Sequence, residues 1–478
     1  MEKKFYITTP IYYASGKPHI GHAFTTLYAD VLARYHKSLG KEVFFLVGMD
    51  EHGAKIAEKA KQENKSPQEF VDEISKSYID VWSALNIGYS DFIRTTSQKH
   101  KETVSEFIKK NYESGDIYEG VYEGLYCVGC EKFLTEKELV NGVCPDHLTA
   151  PQKIKEKNYF FNLKKYLPKI KKSIEDKVLS IRPESRKNEI LNIIDSGISD
   201  FSVTREKEKV RWGIPFPYDE SQIIYVWLDA LVNYLSPKDF WPADLHVIGA
   251  DIDKFHSIFW PGLLLSAGFP LPKNIFSHGL FTINGQKISK TVGNTIDPLD
   301  MIKKFGVDAT RYLLLSQFPA SEHGDIKESE FEVKYNADLA NGIGNLFERV
   351  FTMLINYRIV EHPMSHKICA TSDVEIKKTE NKYKNYIENY QIFEALREVL
   401  LFAKKLDGYI TETQPWILAK NKDKKLEEVL NYLFCGVEKI IEWLELFLPE
   451  KAKIAKDYAQ RIKSGDYPEE KLGLFPRK

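Results

Sequence analysis

The segment that most restricts what this chain can fold into is the one from Lys4 to Gly48. A β-rich stretch at residues 4–12 is followed by a turn at Ser15-Gly16-Lys17-Pro18, a helical stretch from about His22 to Leu39, and the strand Glu42-Val43-Phe44-Phe45-Leu46-Val47-Gly48. That last strand is apolar at consecutive positions, so both of its faces must be covered. Strand, helix and doubly apolar strand together predict a βαβ unit in a parallel sheet with helices on both sides. In such sheets the chemistry sits beyond the carboxyl ends of the strands, and Tyr12-Tyr13 and Asp50 fall at such ends.

With 478 residues the chain has room for two to four domains at roughly 100–200 residues each. Its 28 Phe, 26 Tyr and 7 Trp exclude a disordered chain, because they supply far more burial than an unfolded segment carries. A net charge of -1 is silent about a polyanionic partner, since what matters is where the charge sits. The start has neither an apolar signal core nor an Arg-rich presequence, which predicts a cytoplasmic protein. The longest apolar run, Ile258 to Leu271, is too short to span a bilayer and is broken by Pro261, Gly262 and Pro270. Near residue 115 the texture changes to short strands and turns. Between Lys153 and Ile190 twelve basic residues face five acidic ones, a local charge of +7 that suits either phosphate binding or a solvated lysine-rich helical face. Strand texture resumes at Ile223–Trp227 and Leu245–Gly249. From about Asn336 onward, long amphipathic patterns such as Ile392–Ile410 and Lys425–Leu448 predict a separate helical bundle.

Two constellations carry chemistry. Cys127-Val-Gly-Cys130 is followed after thirteen residues by Cys144-Pro-Asp-His147. Two ligand pairs, each with two residues between, match a tetrahedral zinc knuckle, and with all four positions filled by protein the ion is structural. The second constellation is divided along the chain. His19-Ile20-Gly21-His22 lies at the start of the first helix, where backbone N–H groups and the positive dipole end favour an anion. Gly285-Gln286-Lys287-Ile288-Ser289-Lys290-Thr291-Val292-Gly293 is a glycine-flanked loop whose two lysines and two hydroxyls can close on phosphates. Each is weak alone, because a histidine pair at a helix start is more often a cap. In this order across an interrupted parallel sheet they are specific.

With these residues the sequence resembles the class I aminoacyl-tRNA synthetases, whose signatures are a His-apolar-Gly-His tetrapeptide and a Lys-Met-Ser-Lys-Ser loop. Further stretches are similar to the methionyl-tRNA synthetases in particular: Thr8–Tyr13, Gly48–Gly53, Tyr225–Ala230, Phe255–Pro261 and Pro415-Trp416, with the knuckle of the single-zinc branch. The resemblance spans essentially the whole chain. Departures are Ile288 and Thr291, which keep the physical type, and Ala250, where lysine is common.

The resemblance implies a Rossmann-like catalytic domain in two halves (1–115 and 223–270), a connective insertion with the zinc knuckle (116–222), a signature-loop region (271–335) and an all-α anticodon-binding bundle (336–478). It implies a ligase that activates L-methionine with ATP to methionyl-adenylate and pyrophosphate, then transfers methionine to the 3′-terminal ribose of its tRNA. His19, His22, Lys287 and Lys290 match the catalytic groups on the phosphates. Gly21, Asp251, Ser289 and Thr291 match ATP contacts. The methionine pocket maps to Ile11, Tyr13, Asp50, Trp227, Ala230, Leu231, Tyr234, Ile252 and His256, with Asp50 meeting the substrate ammonium. A thioether is soft and a poor hydrogen-bond acceptor, so aromatic rings and shape suit its selection. Asn345, Arg349 and Trp416 match the anticodon readers. One structural Zn2+, Mg2+ with ATP, and a monomer are expected. The rivals are another nucleotidyltransferase of the same superfamily or a synthetase for a different amino acid, which Trp227, Tyr234 and His256 argue against, and a zinc-containing RNA-binding protein without catalysis, which the intact histidines and lysines argue against.

Overall fold

The apolar run after Lys41 becomes the longest strand of a seven-stranded parallel sheet. Strands β1 (Lys4–Thr8) and β2 (Tyr12–Tyr13) follow one another along one side of β3 (Glu42–Asp50), and β4 (Asp91–Arg94) lies on the other. From β1 the sheet continues through β6 (Leu245–Gly249) and β7 (Asn274–His278) to β5 (Ser180–Arg182). Every pairing is parallel, so all carboxyl ends lie along one rim. The sequence reason is visible in β3, where Phe45, Leu46, Val47 and Met49 are all fully buried, the signature of a strand covered on both faces. Gly48 is required there: a Cβ would stand 2.2 Å from the Ile93 carbonyl oxygen and 2.9 Å from Cγ2 of Ile11.

The computed structural model describes residues 3–128, 132–134, 136, 139–145, 148–288, 293–358 and 374–478. They divide into a first unit of Met1–Pro18, His36–Trp82 and Gly88–His278 and a second of His19–Tyr35, Ser83–Ile87 and Gly279–Lys478. In the first, one apolar core runs from Tyr6 and Leu46 through Phe107, Tyr234 and Trp260 to Ile275.

Two strands lie where the local sequence gives no sign of them. Ser180–Arg182, inside the 116–222 stretch, is the outer strand of the main sheet, paired to Asn274–Phe276; three residues between Leu179 and Pro183 are too few to show a period. Ile223–Trp227 was expected to resume the sheet as a strand. Instead Asp219–Ile224 joins a small antiparallel sheet with Thr204–Glu206 and Pro215–Phe216, and a helix begins at Val226. A short apolar run does not reveal which sheet it enters or where it turns helical. The remaining insertion strands form an antiparallel sheet in which Ile117–Cys127 pairs with Gln152–Phe161 and with Lys132–Leu134.

In the second unit a three-stranded sheet sets Phe281–Ile283 between Gln286–Lys287 and Gly324–Ile326. Helices follow, among them Asn345–Tyr357, Ile392–Thr413 and Lys425–Leu444, with Leu354, Leu406, Leu433 and Ile440 fully buried. Two of them match the predicted amphipathic patterns to within a few residues. Fully buried Arg311 donates from Nη2 to Oδ2 of Asp30 at 2.7 Å, from Nη1 to the Leu85 carbonyl at 3.0 Å, and from Nε to the Phe447 carbonyl at 2.8 Å. A guanidinium with this many partners meets the desolvation cost of a buried charge.

Candidate active site

The helix Ile20–Ser38 opens on the histidine pair. The His19 N–H donates to Nδ1 of His22 at 3.2 Å, and the Gly21 N–H donates to Nδ1 of His19 at 3.0 Å. Both Nδ1 atoms are therefore acceptors, which places the proton of each neutral ring on Nε2. The rings stack with centroids 3.8 Å apart at 25°. Gly21 makes this possible, since a Cβ there would lie 2.8 Å from Cε1 of His19. The same position is 3.6 Å from Cδ1 of Ile288, so the tetrapeptide and the lysine loop, some 270 residues apart, meet at one helix start. Lys287 takes part in the backbone pairing with Thr282. Ser289, Lys290 and Thr291 lie outside the described residues.

Several of the residues that the resemblance assigns to methionine lie at or after the carboxyl ends of the parallel strands. Tyr13 pairs with Asp50 where β2 meets the end of β3, and the Ala14 N–H donates to the Asp50 carbonyl at 2.8 Å. The helix Val226–Val232 carries Trp227, Ala230 and Leu231, with Tyr234 just beyond it. Trp227 stacks on Phe255 with centroids 3.9 Å apart at 8°. Beyond β6, Asp251 is exposed on a single turn and Ile252 partly buried. The Tyr234 hydroxyl lies 2.8 Å from Nε2 of His256, whose Nδ1 lies 3.0 Å from the Ile252 carbonyl oxygen. A carbonyl only accepts, so Nδ1 carries the proton and Nε2 accepts the tyrosine O–H. Burial lowers the His256 pKa to about 4, so the ring is neutral at pH 7 and this polarity is settled.

The structure adds residues that the sequence reading did not single out. Asp229, on the same short helix, is buried, with Oδ2 2.7 Å from Nδ1 of His52 and Oδ1 2.7 Å from Nε2 of His100. Burial pushes its carboxyl up, but the two imidazoles more than offset this and hold it at about 2. Glu51, fully buried beside Asp50, accepts from Nε of Arg94 at 2.6 Å and from the hydroxyls of Ser75 and Thr96. Asp229 and His52 both lie inside stretches already quoted for the family resemblance. What no pattern reveals is that they touch.

Of the four knuckle residues, Cys127 and Cys144 are buried in one small cluster with Leu134; Cys130 and His147 lie outside the described residues. Among the described residues no group of three or more metal-binding side chains converges. At least half of the basic residues in the +7 stretch are in ion pairs: Lys155 with Glu123, Lys157 with Glu119, Lys165 with Asp116, Lys171 with Asp195, Arg186 with Glu189 and Lys187 with Glu184. Four of those acids lie outside the counted window, so the local excess is largely neutralised by the fold. In the helical region Asn345 is exposed, Arg349 pairs with Asp407, and Trp416 is 48% exposed on the helix Pro415–Lys420. A half-exposed tryptophan is not a core residue, the reading its sequence context alone suggests.

A wholly parallel sheet in the first unit and, in the second, a stacked histidine pair at a helix start with Ile288 of the lysine loop beside it are features of a class I tRNA synthetase. The family model described as "tRNA synthetases class I (M)" matches residues 5–153 and 146–351. The chain belongs to the methionine–tRNA ligase family. It is 39% identical over 482 residues to the methionine–tRNA ligase of Thermotoga maritima, covering 97% of this chain and 76% of the relative. It is also 39% identical over 512 residues to that of Rickettsia felis, covering 100% and 99%. The solved structure of Mycobacterium tuberculosis methionyl-tRNA synthetase in complex with methionyl-adenylate superposes with a TM-score of 0.89 at 30% identity, covering all of both chains.

Proposed function

We propose how the residues of this chain carry the reaction of its family: activation of L-methionine with ATP to methionyl-adenylate and pyrophosphate, then transfer of methionine to the 3′-terminal ribose of tRNA. The observation that carries the reading is the meeting of Gly21 and Ile288, which joins both signature stretches at one helix N-terminus. The methionine carboxylate attacks the α-phosphate, a new O–P bond forms, and the bond to pyrophosphate breaks. Nε2 donors of His19 and His22, with Lys287 and Lys290, stabilise charge that gathers on the phosphates. No covalent enzyme intermediate is required, and catalysis rests on positioning and electrostatics. Gly21, Asp251, Ser289 and Thr291 line the nucleotide, and Mg2+ arrives with the ATP phosphates.

Methionine is held with its thioether among Ile11, Tyr13, Trp227, Ala230, Leu231, Tyr234, Ile252 and His256, its ammonium at Asp50. The neutral Tyr234–His256 pair supports this assignment, because the tyrosine O–H is already committed and the wall it presents suits a soft sulfur. Cys127, Cys130, Cys144 and His147 would hold a structural zinc ion. Two thiols in a cluster of three buried residues fit that donor set, and the ion would supply the folding energy that so small a core lacks. Asn345, Arg349 and Trp416 read the anticodon by stacking and by base-edge hydrogen bonds. The domain division of the notional family plan, a monomeric state and a cytoplasmic location belong to the same reading. Among the described residues no helix is long and apolar enough to cross a membrane.

Purified protein tested for methionine- and tRNA-dependent aminoacylation decides the matter. Charging with methionine is expected; pyrophosphate exchange driven by leucine or cysteine but not methionine overturns the assignment.

A further inference from the structure

The carboxylate of Asp229 joins three segments. One is the tip that follows β3, through Nδ1 of His52 at 2.7 Å; the second is the helix Gln98–Glu113, through Nε2 of His100 at 2.7 Å; the third is its own helix, Val226–Val232. All three side chains are buried, His100 fully. On the tip, Asp50 is followed by Glu51, which Arg94, Ser75 and Thr96 hold from one side, while Asp229 holds His52 from the other. The tip is fastened further by the Gly53 N–H on the Trp212 carbonyl at 2.9 Å and by Nε1 of Trp212 on the Glu51 carbonyl at 2.5 Å. On the short helix Asp229 lies between Trp227 and Ala230-Leu231, so the group that fastens the tip belongs to the element that carries much of the pocket wall.

We infer that Asp229 is a positioning residue for methionine recognition: by binding His52 and His100 together it sets the distance between Asp50, which takes the substrate ammonium, and the helix that walls the side-chain pocket. This rests on the methionine-site assignment proposed above. The physical argument is one of rigidity. The ammonium site and the side-chain wall come from segments more than 170 residues apart in sequence, and a substrate as small as an amino acid tolerates little drift between them. A buried carboxylate receiving two imidazole donors is a strong, directional clamp. A salt link to a surface lysine in its place would be weak and adjustable.

The test uses the full-length protein in methionine-dependent pyrophosphate exchange, with melting temperature and gel filtration as fold controls. Asp229→Asn keeps the shape but removes the charge, and an NH2 donor replaces one of the two oxygens that face the imidazoles. It is expected to raise KM for methionine about tenfold while KM for ATP moves less than about twofold. His100→Gln retains an N–H donor and is expected to stay within about twofold of the parent, whereas His100→Leu, which cannot donate, raises KM for methionine about fivefold or more. Rescue by glutamine separates positioning from bulk packing, because both replacements fill the space. If folded Asp229→Asn and His100→Leu keep the parent KM for methionine, or if both KM values move together, the inference fails. Trp227→Ala is the control for the underlying assignment. If it too leaves KM for methionine unchanged, the pocket itself has been misplaced; if it raises KM while the Asp229 and His100 variants do not, only the clamp is wrong.

Discussion

The Tyr234 hydroxyl donates to Nε2 of His256 at 2.8 Å, and the proton on Nδ1 of the same ring is committed to the Ile252 carbonyl at 3.0 Å. Replacing Tyr234 by Phe leaves that Nε2 buried without its donor, at a cost of about 1–3 kcal/mol. Thermal melting is expected to show the loss, and pyrophosphate exchange a raised KM for methionine. The pH response follows from the same ring. Burial lowers the His256 pKa from 6.5 to about 4, so in that window the unfolded chain binds a proton that the folded chain refuses. Its contribution to stability is complete above about pH 6.5 and drains as pH falls toward 4, by about 1.4 kcal/mol per pH unit. Urea melts at pH 7, 6, 5 and 4, compared between the parent and His256→Gln, measure that slope.

His19→Asn and His22→Asn test the signature pair. Either change is expected to lower kcat for adenylate formation roughly 100- to 1,000-fold, the range for losing one preorganised donor to developing charge. KM for methionine is expected to hold. A variant that loses methionine affinity in place of turnover refutes the phosphate role.

Trp416→Ala separates the two halves of the reaction. Exposed on its short helix, it is expected to contribute about 1–3 kcal/mol of stacking to an unpaired base. KM for tRNA in aminoacylation should rise roughly 5- to 150-fold with no change in tRNA-independent pyrophosphate exchange. An equal loss in both assays points to a fold defect.

For the knuckle, Cys127→Ser and Cys144→Ser are expected to abolish one equivalent of protein-bound zinc by elemental analysis. Chelator treatment of the parent is expected to lower the melting temperature, since a structural zinc ion contributes folding free energy directly. Full retention of metal in both variants contradicts the ligand assignment.

Asp308 offers a stability test away from the chemistry. Burial raises its pKa from 3.8 to about 6, against the lowering effect of the Lys451 N–H that donates to Oδ2 at 2.6 Å. Because the folded state favours the protonated acid, stability falls as pH rises from 3.8 to about 6 and is flat beyond. Asp308→Asn keeps an acceptor for Lys451 and removes the charge, so at pH 7 it is expected to stabilise the protein by about 1–3 kcal/mol, and by little at pH 4. Denaturant melts at the two pH values give the comparison.

Local order was legible in the chain itself. Consecutive apolar residues in β3 demanded cover on both faces and hence a parallel sheet, and helical periodicity marked the Ile392 and Lys425 helices close to their ends. Residue chemistry at fixed spacing marked the histidine tetrapeptide, the lysine loop and the knuckle. Tertiary structure decided what depends on contacts between distant residues. It placed Ser180–Arg182 in the main sheet and Asp219–Ile224 outside it, because strand partners are chosen by global packing and short runs carry no partner code. It neutralised much of the +7 stretch with acids from outside the window. It turned Trp416 outward, and it brought Asp229 onto His52 and His100. Periodicity and spacing act over a few residues along the chain, whereas a buried carboxylate finds its partners only once the segments that carry them have packed together.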